Sequence, residues 1–134
     1  MLRVYMNMIT RIIPIAIAAA LTAGCVTSPV ISQNGIAEVK LGQTADFGVA
    51  KVTVVKVLED SRCPARVQCV WAGQVKVAVR IENRDGTSVR DLTTEAPIQA
   101  GGGGILELRS VWPEKVANRT ISNGDYRFTL RYTR

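Results

Sequence analysis

The sequence has no histidine, and aromatic residues make up only 5% of it. Without histidine there is no Ser-His-Asp triad, no Cys-His nucleophile pair and no imidazole-ligated zinc or copper centre. Methionine is confined to Met1, Met6 and Met8, which removes a thioether-lined copper site from everything downstream. No D-x-D-x-D run supplies the clustered oxygens of a calcium loop. No stretch beyond residue 25 carries a 3.6-residue apolar period, so amphipathic helices are not expected there. What is present is a chain of 134 residues, a length that favours one domain, with 47% hydrophobic residues and 17 Lys+Arg against 11 Asp+Glu.

The first residues read as an address. Met1–Arg11 carries Arg3 and Arg11 and no acid, Ile12–Ala20 is apolar, and small residues follow. That order predicts a secretory signal peptide over residues 1–24. The uncharged run Ile12–Gly24 has 13 residues, short of the roughly 20 that a bilayer-crossing helix needs. Pro14 also works against a long helix.

Leu21-Thr22-Ala23-Gly24-Cys25 resembles the lipobox of bacterial lipoproteins, with Thr22 where leucine is usual and Leu21 one position further back. The resemblance implies lipidation of the Cys25 sulfur, cleavage before Cys25 and acylation of the new amine. Two or three acyl chains exceed the requirement for stable anchoring. Val26, rather than aspartate, follows Cys25, which resembles the default outer-membrane sorting signal. The expected location is therefore the cell envelope, lipid-anchored and facing the periplasm.

Removing residues 1–24 leaves 15 Lys+Arg against 11 acids, a net charge of +4. With Cys25 lipidated, Cys63 and Cys69 remain, in a compartment where disulfides persist. A bond between them closes a small ring whose chain-entropy contribution is about 2 kcal/mol. Redox pairs usually have C-x-x-C spacing at a helix start, so this wider spacing favours a structural bond.

Residues 25–35 are polar and turn-rich and are expected to form a lipidated tether, with a β-domain over 36–134. Strands are predicted over Ile36–Leu41, Thr44–Val49, Lys51–Leu58, Val75–Glu82, Thr87–Thr94, Ile105–Val111 and from Tyr126 to Thr133. The alternation of Val75, Val77, Val79 and Ile81 with Lys76, Ala78, Arg80 and Glu82 is the cleanest half-buried pattern. Asp85-Gly86 favours a hairpin. Six to seven short strands predict an all-β fold, a small antiparallel β-sandwich of immunoglobulin-like type, with a small β-barrel as the alternative. Asp125-Tyr126 before the last strand suggests a tyrosine corner.

The densest local signal is Asp60-Ser61-Arg62-Cys63-Pro64 followed by Cys69-Val70-Trp71-Ala72-Gly73. It resembles a D-S-R-C-P…C-V-W-A-G motif of small exported bacterial proteins and lipoproteins, continuing into Gly124-Asp125-Tyr126-Arg127-Phe128. That resemblance implies a domain type and no reaction. The residues themselves describe a folded cap, with Trp71 packed over the sulfurs. They equally make a rigid recognition loop carried by Asp60, Arg62, Arg66 and Trp71. In Glu59-Asp60, neighbouring strand residues point to opposite faces, which makes the two poor partners for paired-carboxylate catalysis, and they read as solvated loop acids. Gly101–Gly104 lacks the ending of a phosphate loop and reads as a flexible connection. Trp112 is expected in the core. Lys76, Arg80, Arg127 and Arg131 would form a basic stripe if their strands were neighbours.

These features together predict a non-catalytic, lipid-anchored periplasmic β-domain acting as a binding or envelope-accessory module, without cofactor or metal. Its partners would be the membrane, through the lipid, and an envelope protein or anionic envelope component; nucleic acid is not expected. One alternative is an inhibitor-type lipoprotein that blocks a cell-wall hydrolase with the Arg62–Cys69 loop, similar in size and location to small lysozyme-inhibitor lipoproteins. Another is a small enzyme lacking histidine.

Overall fold

The computed structural model describes residues 24–134. The signal peptide expected over 1–24 therefore lies, Gly24 apart, outside the described residues. Those residues form nine strands: β1 (Val30–Ile31), β2 (Ile36–Lys40), β3 (Thr44–Asp46), β4 (Lys51–Asp60), β5 (Val75–Asn83), β6 (Gly86–Thr93), β7 (Ile98–Gln99), β8 (Ile105–Trp112) and β9 (Arg127–Thr133). One turn of 3-10 helix, Asn123–Asp125, precedes β9.

Period-two patterning builds the core. Ala37 and Val39 of β2, Val75, Val77, Val79 and Ile81 of β5, and Phe128, Leu130 and Tyr132 of β9 point inward and are buried, while the residues between them face water. The strands form two sheets, ordered β1-β3-β4-β5-β6 and β2-β9-β8-β7, that pack face to face without closing. The molecule is thus a mostly antiparallel β-sandwich, not the alternative barrel. Its two strands beyond the expected number, β1 and β7, have two residues each.

β1 lies inside the segment expected to be a tether. Val30 and Ile31 pair in parallel with Ala45 and Asp46 of β3, and the Ser32 amide donates to the Asp46 carbonyl at 2.9 Å. Side-chain alternation cannot announce a two-residue strand; the exposed edge of β3 recruits it.

The β4–β5 pairing contains bulges between Val54 and Lys56 and between Val57 and Glu59. These interrupt the alternation beyond Val54; before them Val52, Thr53 and Val54 keep regular register and are all buried, Thr53 on the outer face between Thr44 and Arg80. The Thr53 and Thr44 hydroxyls satisfy each other at 2.7 Å. β4 also runs to Asp60, two residues beyond its predicted end. The β5–β6 hairpin turns at Arg84-Asp85, with Asn83 paired to Gly86, so Gly86 opens the return strand rather than sitting at the turn centre.

Gly101–Gly104 is an ordered connection. The Gly104 amide donates to the Gly101 carbonyl at 3.0 Å, and the Tyr132 hydroxyl donates to that same carbonyl at 2.9 Å. A Cβ at Gly104 would run into the Tyr132 ring. Gly104→Ala is expected to lower the unfolding free energy by about 1–3 kcal/mol through overpacking, read from the urea midpoint. An unchanged midpoint would show that the Tyr132 ring moves aside freely.

Candidate functional site

One end of the sandwich gathers most of the residues the sequence singles out. β4 delivers Asp60 to this end, and residues 61–74 form the disulfide loop before β5. Residues 113–126, which connect β8 to β9, lie beside that loop, and the Ala65 amide donates to the Lys115 carbonyl at 2.7 Å. Cys63 and Cys69 are bonded, with Cα atoms 5.9 Å apart. The loop neck is tied by the Cys63 amide donating to the Ala72 carbonyl at 3.1 Å and by Ser61 bonding to Gln74 through backbone and side chain. Gly73 is required there, because a Cβ would collide with the Ser61 carbonyl.

The expectation that Asp60 is a solvated acid is overturned. Its side chain is only 11% exposed. Arg62 grips it bidentately: Nε donates to Oδ1 at 2.8 Å and Nη2 to Oδ2 at 2.7 Å. The Tyr126 hydroxyl donates to Oδ2 at 2.9 Å, across 66 residues of sequence. Arg62 Nη1 donates to the carbonyls of Val111 at 2.8 Å and Pro113 at 3.0 Å. Lys115 Nζ donates to the Asp60 backbone carbonyl at 2.7 Å. Asp60 and Arg62 therefore clamp the disulfide loop to the β8–β9 connection. The suggested tyrosine corner is not formed, since the Tyr126 hydroxyl reaches Asp60 and not its own upstream backbone.

The clamp shifts the ionisation of its members. Burial opposes the charged form of Asp60, but the hydrogen bonds from Arg62 and Tyr126, with the guanidinium charge, outweigh it and hold the carboxyl below its usual range. Burial and the bond to anionic Asp60 push the Tyr126 phenol up to about 12.

The other expected site residues are placed differently. Arg66 is exposed and held at φ +63°. Trp71 is 82% exposed and Val70 90%, so Trp71 does not pack over the sulfurs. Trp112 is 59% exposed, outside the core where it was expected. It ends β8 opposite Arg127, and the strand's outward phase turns it to solvent. It lines a cleft of 360 Å³ with Pro113, Glu114, Val116, Arg119 and Ile121. The basic stripe does not form: Lys76 and Arg80 sit on β5 in one sheet, and Arg127 and Arg131 on β9 in the other. Arg80 instead meets Glu82 at 3.1 Å. Among the described residues no group of three or more Cys, Asp or Glu gathers as metal ligands.

Tyr126 and Lys115 are the clamp members that sequence reasoning did not assign to the site. The Asp125-Tyr126 pair was the available signal, and only the fold pairs it with Asp60. No protein-family model, curated protein or solved structure matches the chain.

Removing Arg62 strands a mostly buried carboxylate and two carbonyls. Arg62→Ala is expected to cost about 2–3 kcal/mol of stability in chemical unfolding; a loss under about 0.5 kcal/mol would mean the clamp contributes little. Because the Asp60 pKa is depressed on folding, its contribution is present above the unfolded value of about 3.9 and disappears as pH falls through the lower folded value. The chain should accordingly lose stability below about pH 4, and Asp60→Asn should flatten that part of the acid profile. Tyr126 works in the opposite direction: its stabilisation is complete below the unfolded value of about 10 and fades as pH climbs toward about 12. Tyr126→Phe should remove a tyrosinate absorbance step near pH 12. Converting Cys63 and Cys69 to serine should lower stability by about 2 kcal/mol, measured against the parent chain.

Proposed function

We propose that the chain is a non-catalytic, lipid-anchored module of the bacterial envelope and that the disulfide-loop end of its sandwich is the binding surface. The observation that carries this reading is rigidity coupled to exposure. The Asp60–Arg62 clamp and the Cys63–Cys69 bond fix the loop, while Val70 and Trp71 stand 90% and 82% exposed on its returning limb, between Cys69 and the Ala72 carbonyl that accepts from Cys63. Apolar side chains held in place on a small domain lose little conformational freedom when covered, which is what an economical binding anchor needs. The lipid attachment is carried by the lipobox resemblance of Leu21-Thr22-Ala23-Gly24-Cys25, and the Cys25 thiol is exposed and outside the disulfide.

The clamp also supports a non-catalytic role. Asp60 commits both carboxylate oxygens to Arg62 and Tyr126, so the acid with the shifted pKa acts as a fastening. The alternative of an inhibitor that seats the Arg62–Cys69 loop in a cell-wall hydrolase is favoured by one specific observation. The loop carries exposed Val67 inside a short disulfide ring, and exposed Val70 and Trp71 follow it directly, a shape suited to filling a cleft.

Two measurements test the reading. Cys25→Ala should move the folded chain from the membrane to the soluble fraction; a variant that stays with the membrane removes the lipid anchor from the proposal. Trp71→Ala, at so exposed a position, should leave the unfolding midpoint within about 0.5 kcal/mol of the parent and reduce capture of envelope components by the solubilised protein. Equal capture by both chains would sink the loop end as the binding surface.

A further inference from the structure

We infer that the partner of the disulfide-loop end is the lipid bilayer itself: Trp71 and Val70 dock on the membrane surface to which the chain is anchored. The inference rests on the lipid-anchor reading above and names what covers Val70 and Trp71. Three observations lead to it.

The first is how short the connection is. The expected tether of residues 25–35 is largely taken up by structure, since β1 starts at Val30. Only Val26–Pro29 separate Cys25 from the sheet. From Val30 back to Cys25 the chain spans at most about 17 Å. A diacylated Cys25 therefore keeps the sandwich against the bilayer and leaves no room for an intervening layer.

The second is direction. β1 runs parallel to β3, with Val30 beside Ala45, and β3 runs antiparallel to β4, with Ala45 beside Val52. Traced backward from Val30, the line of β1 therefore points along β4 from Val52 toward Asp60. That is the end carrying the disulfide loop. Traced this way, the chain leaves β1 heading toward that end.

The third is composition. Residues 61–74 contain Arg62 and Arg66 and no acid. Asp60 neutralises Arg62, which leaves the Arg66 charge beside Val67, Val70 and Trp71. At the same end Lys40 and Trp112 flank Arg127 in register, and Lys115 and Arg119 lie on the β8–β9 connection. The acids there are Glu59, opposite Lys76 in register, Glu95, which follows the Thr94 bonded to Val75, and Glu114 and Asp125. Tryptophan prefers the headgroup level of a bilayer, and cations beside it are drawn to anionic headgroups. A solvent-facing Val-Trp pair with arginine nearby matches that interface.

The test reconstitutes the membrane-extracted full-length product in vesicles of phosphatidylethanolamine and phosphatidylglycerol, with and without brominated acyl chains. Its mass reports acylation separately. If the chain carries no acyl group, the anchor reading fails on its own. The same vesicles are then loaded through a maleimide lipid on the Cys25 thiol, so the docking is still read. Brominated lipid is expected to quench the tryptophan emission. Trp71→Phe should lower the fraction of emission that brominated lipid quenches to whatever Trp112, the other tryptophan, contributes; an unchanged fraction counts against docking by Trp71. Arg66→Glu should weaken the quenching further at low salt than at high salt. Emission indifferent to brominated lipid yet fully open to a water-soluble quencher overturns the inference. If adding a cell-wall hydrolase then shields Trp71, the loop is a protein-binding surface instead.

Discussion

Asp60 and Arg62 stand two residues apart at the end of a strand, yet their contact joins the two sheets of the sandwich. Asp60 ends β4 of the five-stranded sheet, while Val111 and Tyr126 belong to or adjoin β8 and β9 of the four-stranded sheet. A guanidinium suits this position because its donors spread in a plane: one edge takes the carboxylate bidentately, and the remaining nitrogen reaches two backbone carbonyls. A lysine has no such fork. The desolvation cost of the pair is offset because every donor direction that turns inward finds an acceptor, and Tyr126 occupies another lone pair of the carboxylate.

The clamp explains why the end of the molecule is ordered where its hydrophobic core has run out. Buried Val, Leu, Ile and Phe side chains from both sheets hold the middle of the sandwich. Beyond Val75 and Phe128 the chain enters two irregular connections that have few apolar residues to bury. Tyr126 bridges the regimes: its ring stacks on Phe128 at 5.7 Å, and its hydroxyl reaches the clamp. The stability of the loop is thus polar and local, while that of the body is apolar and distributed.

This division also marks what was legible in the sequence. β5 and β9 could be read directly, because strict alternation on a half-buried sheet leaves a period-two trace. β4 could be located but not phased, since its bulges break that trace. β1 and β7 were invisible, being products of tertiary pairing. At the loop, the local motif identified the cysteines and Asp60 and Arg62 as belonging together. It did not reveal that Asp60 is enclosed, because the enclosing groups arrive from around residues 111–126. Residue type placed Trp112 in packing and left Trp71 between packing and recognition, and the fold leaves both facing solvent.

The short strands at the margins have a consequence for neighbouring copies. Each sheet ends in open backbone: β1 and β6 bound one sheet, β2 and β7 the other. Two of these borders are only two residues long, too short to template the ladder of an incoming chain. The long border, β6, carries exposed Arg90 and Asp91, and Arg90 bonds across to the Gln99 carbonyl of β7 at 2.8 Å. β2 places Glu38 and Lys40 outward. A strand arriving at β6 or β2 must set its side chains beside charged residues. Such borders offer little to edge-to-edge pairing.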